Sequence, residues 1–136
     1  MKNNSQGFSL IETVVVMGLM LAMIAATIMG VSAYNAGKDR AVCIVNQVNV
    51  QTAVRSLQNM YEFNPGDTFD GSAMGMGTSL SNNIFGPGKF MAMPSCPAAG
   101  GLYTCAGDIF PIEGVLWMTC SLQTTSGHVP KNATNM

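Results

Sequence analysis

The stretch Gly7-Phe8-Ser9-Leu10-Ile11-Glu12, together with the apolar run at residues 13–37 that follows it, decides the fold of this chain. The run holds 25 residues without a single Asp, Glu, Lys or Arg. An α-helix rises ~1.5 Å per residue, so about 20 residues cross the ~30 Å hydrocarbon core of a bilayer. The run is therefore long enough to be a membrane helix, and its composition favours that assignment.

The segment in front of the run is short and polar, and it contains the single basic residue Lys2. An ordinary secretory signal carries its apolar region before the cleavage site and loses it on processing. Here the small residue suited to processing, Gly7, stands before the apolar run. Cleavage after Gly7 would leave the helix on the mature chain, with Phe8 as its new N-terminus.

The stretch from Gly7 to Glu12, followed by an uncharged helix, closely resembles the class III signal of type IV pilins and type II secretion pseudopilins. In that family a dedicated peptidase cuts after the Gly and methylates the new N-terminal Phe. The resemblance implies that Gly7 is the last leader residue and that Phe8 is the cleaved and methylated terminus. It also implies that Glu12 is the glutamate through which neighbouring subunits assemble.

Glu12 also has a local interpretation, in which Ser9 caps the helix and the Glu12 carboxylate reaches back to the Ser9 amide in a capping box. An ionised carboxylate inside a bilayer costs about 2.5–3.5 kcal/mol on insertion scales, so such residues tend to be functional. In the filaments of the family, this carboxylate meets the cationic N-terminus of a neighbouring subunit. We favour the assembly role, and the two roles can coexist.

The predicted fold class is α+β, a pilin-like lollipop in which one long N-terminal helix packs on a small antiparallel sheet. After the apolar run, an apolar stripe at helical spacing predicts an amphipathic continuation whose stripe is core. Asn64-Pro65-Gly66-Asp67 then ends the helix. The predicted segments are a leader at 1–7, a transmembrane and assembly helix at 8–37, its amphipathic continuation at 38–63, and a loop-rich β domain at 64–136. The stripe comprises Cys43, Val50, Val54, Leu57 and Tyr61, and the polar residues Gln47, Asn49, Gln51, Arg55 and Gln58 are predicted mostly off it.

Two β-prone runs in the last third, at residues 102–105 and 115–120, predict an antiparallel pair. A turn of helix is expected near residues 79–84. Asp67 and Asp70 offer two carboxylates, which is a thin set for a calcium ion that takes 6–8 oxygen ligands. A solvated turn is the favoured interpretation of these two residues.

Four cysteines in a domain outside the cytoplasm are disulfide candidates, and the residues alone leave three pairings open. The frame from Cys96-Pro97 to Tyr103-Thr104, with the later Cys120-Ser121 and Gly127-His128, resembles a pseudopilin-like subgroup in which Cys43 also has a counterpart. This looser resemblance implies a Cys96–Cys120 disulfide. Cys43 then packs as a small hydrophobe or pairs with Cys105, which otherwise stays reduced.

The sequence gives little support to two other classes of protein, a zinc module and an enzyme. A zinc module would use Cys96, Cys105, Cys120 and His128, but structural zinc sites usually contain Cys pairs two to four residues apart, and this chain has none. An enzyme would need a partner for His128, and no catalytic motif supplies one. We therefore expect His128 to be a surface or turn residue, and no catalytic residue, metal or cofactor is expected.

The predicted function is that of a structural subunit of a type IV filament, made in the bacterial inner membrane and more specifically a pseudopilin of type II secretion. Its expected partners are further copies of itself, the prepilin peptidase/N-methyltransferase, an inner-membrane assembly platform, minor subunits, and membrane lipid before assembly. Charged residues make up only 10% of the chain and the net charge is −1, so nucleic acid is not indicated. The alternatives are a type IV or DNA-uptake pilus subunit, or a single-span anchored interaction domain that does not polymerise.

Overall fold

A computed structural model of the chain describes residues 9–131. Its first element, α1, is a 51-residue helix spanning Leu10–Met60. The long helix and a small two-stranded antiparallel sheet confirm the predicted α+β class, although α1 ends three residues earlier than predicted. The remaining elements are a 3₁₀ turn at Ser72–Met74, α2 at Leu80–Ile84, β1 at Tyr103–Cys105, β2 at Met118–Cys120 and α3 at Gln123–Ser126.

The chain divides into two compact units, with the boundary between Gly37 and Lys38. In the first unit every residue at positions 10–37 is exposed. The most apolar 18-residue window of α1 has a mean hydropathy of 2.5, and none of it is buried. Among the described residues, this helix is long and apolar enough to cross a membrane. The helix continues without a break through Gly18, Gly30 and Gly37, the three glycines of the run.

In the second unit, the part of α1 that follows Lys38 packs on the sheet and on the loops around it. Trp117 is fully buried at the centre, and its indole Nε1–H donates to the carbonyl of Gly107 at 2.9 Å. This bond gives the large side chain a polar partner inside an apolar core. The buried apolar cluster comprises Val50, Ala53, Val54, Leu57, Phe69, Leu80, Ile84, Phe110, Trp117 and Met118.

The sheet pairs β1 with β2 in antiparallel register, with Tyr103 opposite Cys120 and Cys105 opposite Met118. This pairing confirms the strand pair predicted from the β-prone runs, and α2 confirms the helical turn predicted near residues 79–84. Each strand is only three residues long, so the sheet itself contributes little buried surface.

The buried face of α1 is more polar than the predicted stripe. Gln47, Gln51 and Gln58 are at most 3% exposed, so the prediction that they lie off the buried face is wrong. The Gln51 side chain accepts a hydrogen bond from the Trp117 amide at 2.9 Å and donates to the Val115 carbonyl at 3.2 Å. The Gln51 side-chain amide therefore pairs with one main-chain N–H and one main-chain carbonyl next to β2, as the main chain of an adjacent strand would. Burial of the Gln51 amide is tolerated because both of its polar atoms have partners.

Candidate functional site

Four side chains from separate segments of the chain converge in the second unit. Cys43 lies on the buried face of α1, Cys96 in the loop before β1, Cys120 at the end of β2, and His128 after α3. One ligand atom from each residue, a sulfur or a ring nitrogen, lies within 4.8 Å of each of the other three. Cys43, Cys120 and His128 are 0%, 2% and 4% exposed, and Cys96 is half-buried.

The loop that carries Cys96 is attached to α1 by Asn46. The Asn46 side-chain amide donates to the Ser95 carbonyl at 3.4 Å and to the Tyr103 hydroxyl at 3.2 Å. Asn46 lies one turn after Cys43 on the same helix, so these bonds hold Cys96 beside Cys43. Burial raises the pKa of the Tyr103 hydroxyl, which keeps it protonated and able to donate.

A tight turn after Cys96 leaves room for its sulfur. The Gly101 amide donates to the Ala98 carbonyl at 3.0 Å and closes the turn. A Cβ at position 101 would overlap Cys96 Sγ and would lie 2.9 Å from Cys96 Cβ. Glycine is therefore required at position 101 for the sulfur to sit where it does.

The C-terminal part of the site is built by β2 and α3. The strand register places Cys120 opposite Tyr103, and α3 then turns the chain back. The turn ends at Gly127, whose φ of 65° is a left-handed conformation that glycine adopts without strain. The Gln47 amide donates to the His128 carbonyl at 2.8 Å, which fixes the segment carrying His128 against α1.

The surroundings of Cys120 favour its neutral thiol. Burial, together with the neighbouring thiols of Cys43 and Cys96, raises the pKa of the Cys120 thiol to about 11. A thiol with a raised pKa is a poor nucleophile at neutral pH, so Cys120 is not suited to act as a nucleophile. The buried Nδ1 atom of His128 has no hydrogen-bond partner among the described residues. Three sulfurs and an imidazole at these distances can hold a metal ion, or two of the thiols can be oxidised to a disulfide.

The structure brings together the two cysteines for which the resemblance implied a disulfide. Cys96 Sγ and Cys120 Sγ lie 3.8 Å apart, and both are free thiols here, so the disulfide stays a prediction. The prediction that His128 is a surface or turn residue is wrong, because its side chain is buried. The zinc module considered from the sequence used Cys105, but Cys105 is not among the four converging residues. Cys43 is the third cysteine of the group instead. The available signal was the subgroup frame, which singles out the same four residues.

The other predicted sites lie elsewhere. Glu12 is in the first turn of α1, where its carboxylate accepts a hydrogen bond from the Ser9 amide at 3.4 Å, which is the return half of the predicted capping box. Gly7 and Phe8, the predicted cleavage and methylation residues, lie outside the described residues. Asp67 and Asp70 accept hydrogen bonds from the Asn64 and Ser72 amides, respectively, and thus brace their own turns.

Comparison of the chain with protein-family models, with curated proteins and with solved structures gave no match.

Proposed function

We propose that the chain is a structural subunit of a type IV filament, a pilin-like protein processed between Gly7 and Phe8 and assembled through α1. The observation that carries this proposal is the bare apolar surface of the first unit. Residues 10–37 form a continuous helix, and none of its side chains is covered by the rest of the described chain.

Such a surface requires a partner. Large apolar side chains such as Leu10, Met29 and Tyr34 are each more than 70% exposed. Exposed apolar area costs about 25 cal/mol per Å², so a 28-residue helix of this kind does not stay in water. A bilayer covers it before assembly. A bundle of the same helix from neighbouring subunits can cover it afterwards.

The position of Glu12 supports the choice of a filament over a plain anchor. It is the one charged residue at positions 9–37, and it lies at the start of the helix. In lipid this carboxylate is costly, and a cationic N-terminus of a neighbouring subunit would offset its charge. Glu12 would thus fix the register between subunits, while the second unit faces outward from the filament.

We place the protein in the bacterial inner membrane with the second unit on the far side from the cytoplasm, and we favour the pseudopilus of a type II secretion system. Its partners are then copies of itself, the prepilin peptidase, the assembly platform and minor subunits. The small second unit and the subgroup frame around Cys96 and Cys120 support a pseudopilin over a surface or DNA-uptake pilus.

The test is an intact-mass measurement on protein isolated from native membranes. The proposal predicts a chain that begins at Phe8 and carries one added methyl group. The matched control is the same protein from cells that lack the prepilin peptidase, which must begin at Met1. A chain that begins at Met1 in cells with an active peptidase would contradict the proposal and leave a single-span anchored domain.

A further inference from the structure

We propose that Cys43, Cys96, Cys120 and His128 bind one structural Zn²⁺ ion, which fastens the loops of the second unit to α1. This inference does not depend on the filament function. It rests on the convergence of four ligand-type side chains and on the buried, unpartnered imidazole of His128.

The distances fit a tetrahedral ion. Zinc binds thiolate sulfur at ~2.3 Å, so two sulfurs on one tetrahedral ion lie ~3.8 Å apart. Cys96 Sγ and Cys120 Sγ are separated by 3.8 Å, and no pair among the four ligand atoms is more than 4.8 Å apart. Small side-chain rotations therefore complete the site. Covalently bonded sulfurs are ~2.05 Å apart. To form a disulfide, Cys96 Sγ and Cys120 Sγ would therefore have to move closer together, whereas their present separation already suits two ligands of one zinc ion.

His128 is the second, independent observation. Its side chain is 4% exposed, a ring nitrogen lies within the cluster, and its Nδ1 atom has no hydrogen-bond partner among residues 9–131. Buried polar atoms are almost always satisfied, and leaving one unpaired is costly. A Cys96–Cys120 disulfide would do nothing for this imidazole, whereas metal coordination gives it a role.

Groups around the cluster suit a bound ion. The Gln47 amide donates to Cys43 Sγ at 3.4 Å, which is the kind of outer contact that orients and stabilises a ligating thiolate. Zn²⁺ with three thiolates and a neutral imidazole carries a net charge of −1. The Arg40 guanidinium lies beside Gly127, with Nη2 3.0 Å from the position that a Cβ there would occupy, and it brings a compensating positive charge to the residue next to His128.

The ligand set also defines the kind of site. Thiolates and imidazole select zinc over calcium or magnesium, and four protein ligands leave no open position for a substrate. Binding releases the three thiol protons to solvent. The ion would join α1, the loop before β1, the end of β2 and the segment after α3. The sheet of this unit has only two three-residue strands, and small units of this kind are commonly stabilised by a disulfide or a structural metal ion.

The test begins with the full chain, purified from native membranes in detergent without reductant or chelator. Native mass spectrometry and elemental analysis should find one zinc per chain and four unoxidised thiols. Replacing Cys43, Cys96, Cys120 or His128 with Ala should remove the ion. Cys105→Ala is the matched control and should keep it. A chain that carries a Cys96–Cys120 disulfide, or one that takes up no zinc from added Zn²⁺ under reducing conditions, overturns the proposal.

Two further measurements guard against ligand variants that simply fail to fold. Co²⁺ exchanged into the wild-type chain should give thiolate-to-metal charge transfer and the strong visible bands of a tetrahedral centre. Gly101→Ala, which crowds Cys96 Sγ, should weaken zinc binding at least tenfold in a chelator competition, within the ~10–100-fold range of outer-shell changes. Gly77→Ala, at an open position, should not. Octahedral cobalt bands, or equal affinities of the two glycine variants, would count against the site.

Discussion

At the scale of single residues, Glu12 carries the proposed assembly of the filament. Glu12→Leu should leave membrane insertion intact and abolish or strongly reduce filament formation. The variant keeps the apolar helix but loses the carboxylate that is proposed to pair with the N-terminus of a neighbouring subunit. The measurement is the amount of sheared filament relative to the amount of protein in the membrane fraction. Glu113→Leu removes the same charge from an exposed position of the second unit and should assemble normally. Normal filament levels with Glu12→Leu would show that the charge pairing is wrong.

Cys105 is the cysteine that stays outside the proposed metal site. In the zinc-loaded protein, iodoacetamide should label Cys105 and spare the other three thiols, which peptide mass spectrometry can resolve. Burial raises the pKa of the Cys105 thiol, and the thiolate is the species that reacts. The labelling rate should therefore keep rising with pH above ~8.5, where an ordinary thiol is already half ionised. Labelling of Cys96 as fast as that of Cys105 would show that no ion protects it.

At the scale of elements, α1 has two different surfaces on one helix. Up to Gly37 it is exposed and apolar all round, and from Lys38 onward one face is buried against the sheet. The second surface is held by hydrogen bonds as well as by apolar contact. The Gln51 side chain accepts a hydrogen bond from the main chain next to β2, and the Gln47 side chain donates one to the main chain after α3. These side chains of α1 therefore satisfy main-chain groups that β1 and β2 do not pair.

Gln51→Leu tests this attachment. It keeps a side chain of similar size but leaves the Trp117 amide and the Val115 carbonyl without their partner, so it should destabilise the second unit by about 1–3 kcal/mol. Trp117 is the only tryptophan and is buried, so its fluorescence during denaturant unfolding reports on this unit. Asn49→Leu, at an exposed position of α1, should change stability by less than about 0.5 kcal/mol. Equal effects of the two variants would mean that the Gln51 hydrogen bonds contribute little.

The elements that could be predicted from sequence are those set by local periodicity. The apolar run, the Val50, Val54 and Leu57 stripe and the β-prone runs each follow from the spacing of side chains along one segment. The buried glutamines and His128 could not be predicted this way, because a polar residue is buried only where distant main-chain or side-chain groups satisfy it. The convergence of Cys43, Cys96, Cys120 and His128 also could not be predicted from periodicity. These residues come from four separate segments, so no local spacing rule marks them.

At the scale of the whole molecule, the two units are stabilised in different ways. The first unit exposes its apolar surface, and under the proposed function lipid or other subunits cover that surface. Among the described residues, the second unit has a core cluster of ten buried apolar residues that includes Trp117, and the proposed ion joins four segments of the unit. The two units are therefore expected to respond separately to changes in their surroundings.

Removal of zinc from the full chain in detergent micelles should show this separation. A chelator should shift Trp117 fluorescence to longer wavelength and abolish near-ultraviolet circular dichroism, because the loops of the second unit lose their staple. More than half of α1, residues 10–37, stays covered by detergent, so most of the far-ultraviolet helical signal should remain. In the Cys43→Ala variant, which lacks a ligand, the chelator should cause no further change. If zinc leaves the wild-type chain completely and the Trp117 signals do not move, the ion is bound without stabilising the fold, and its structural role is wrong.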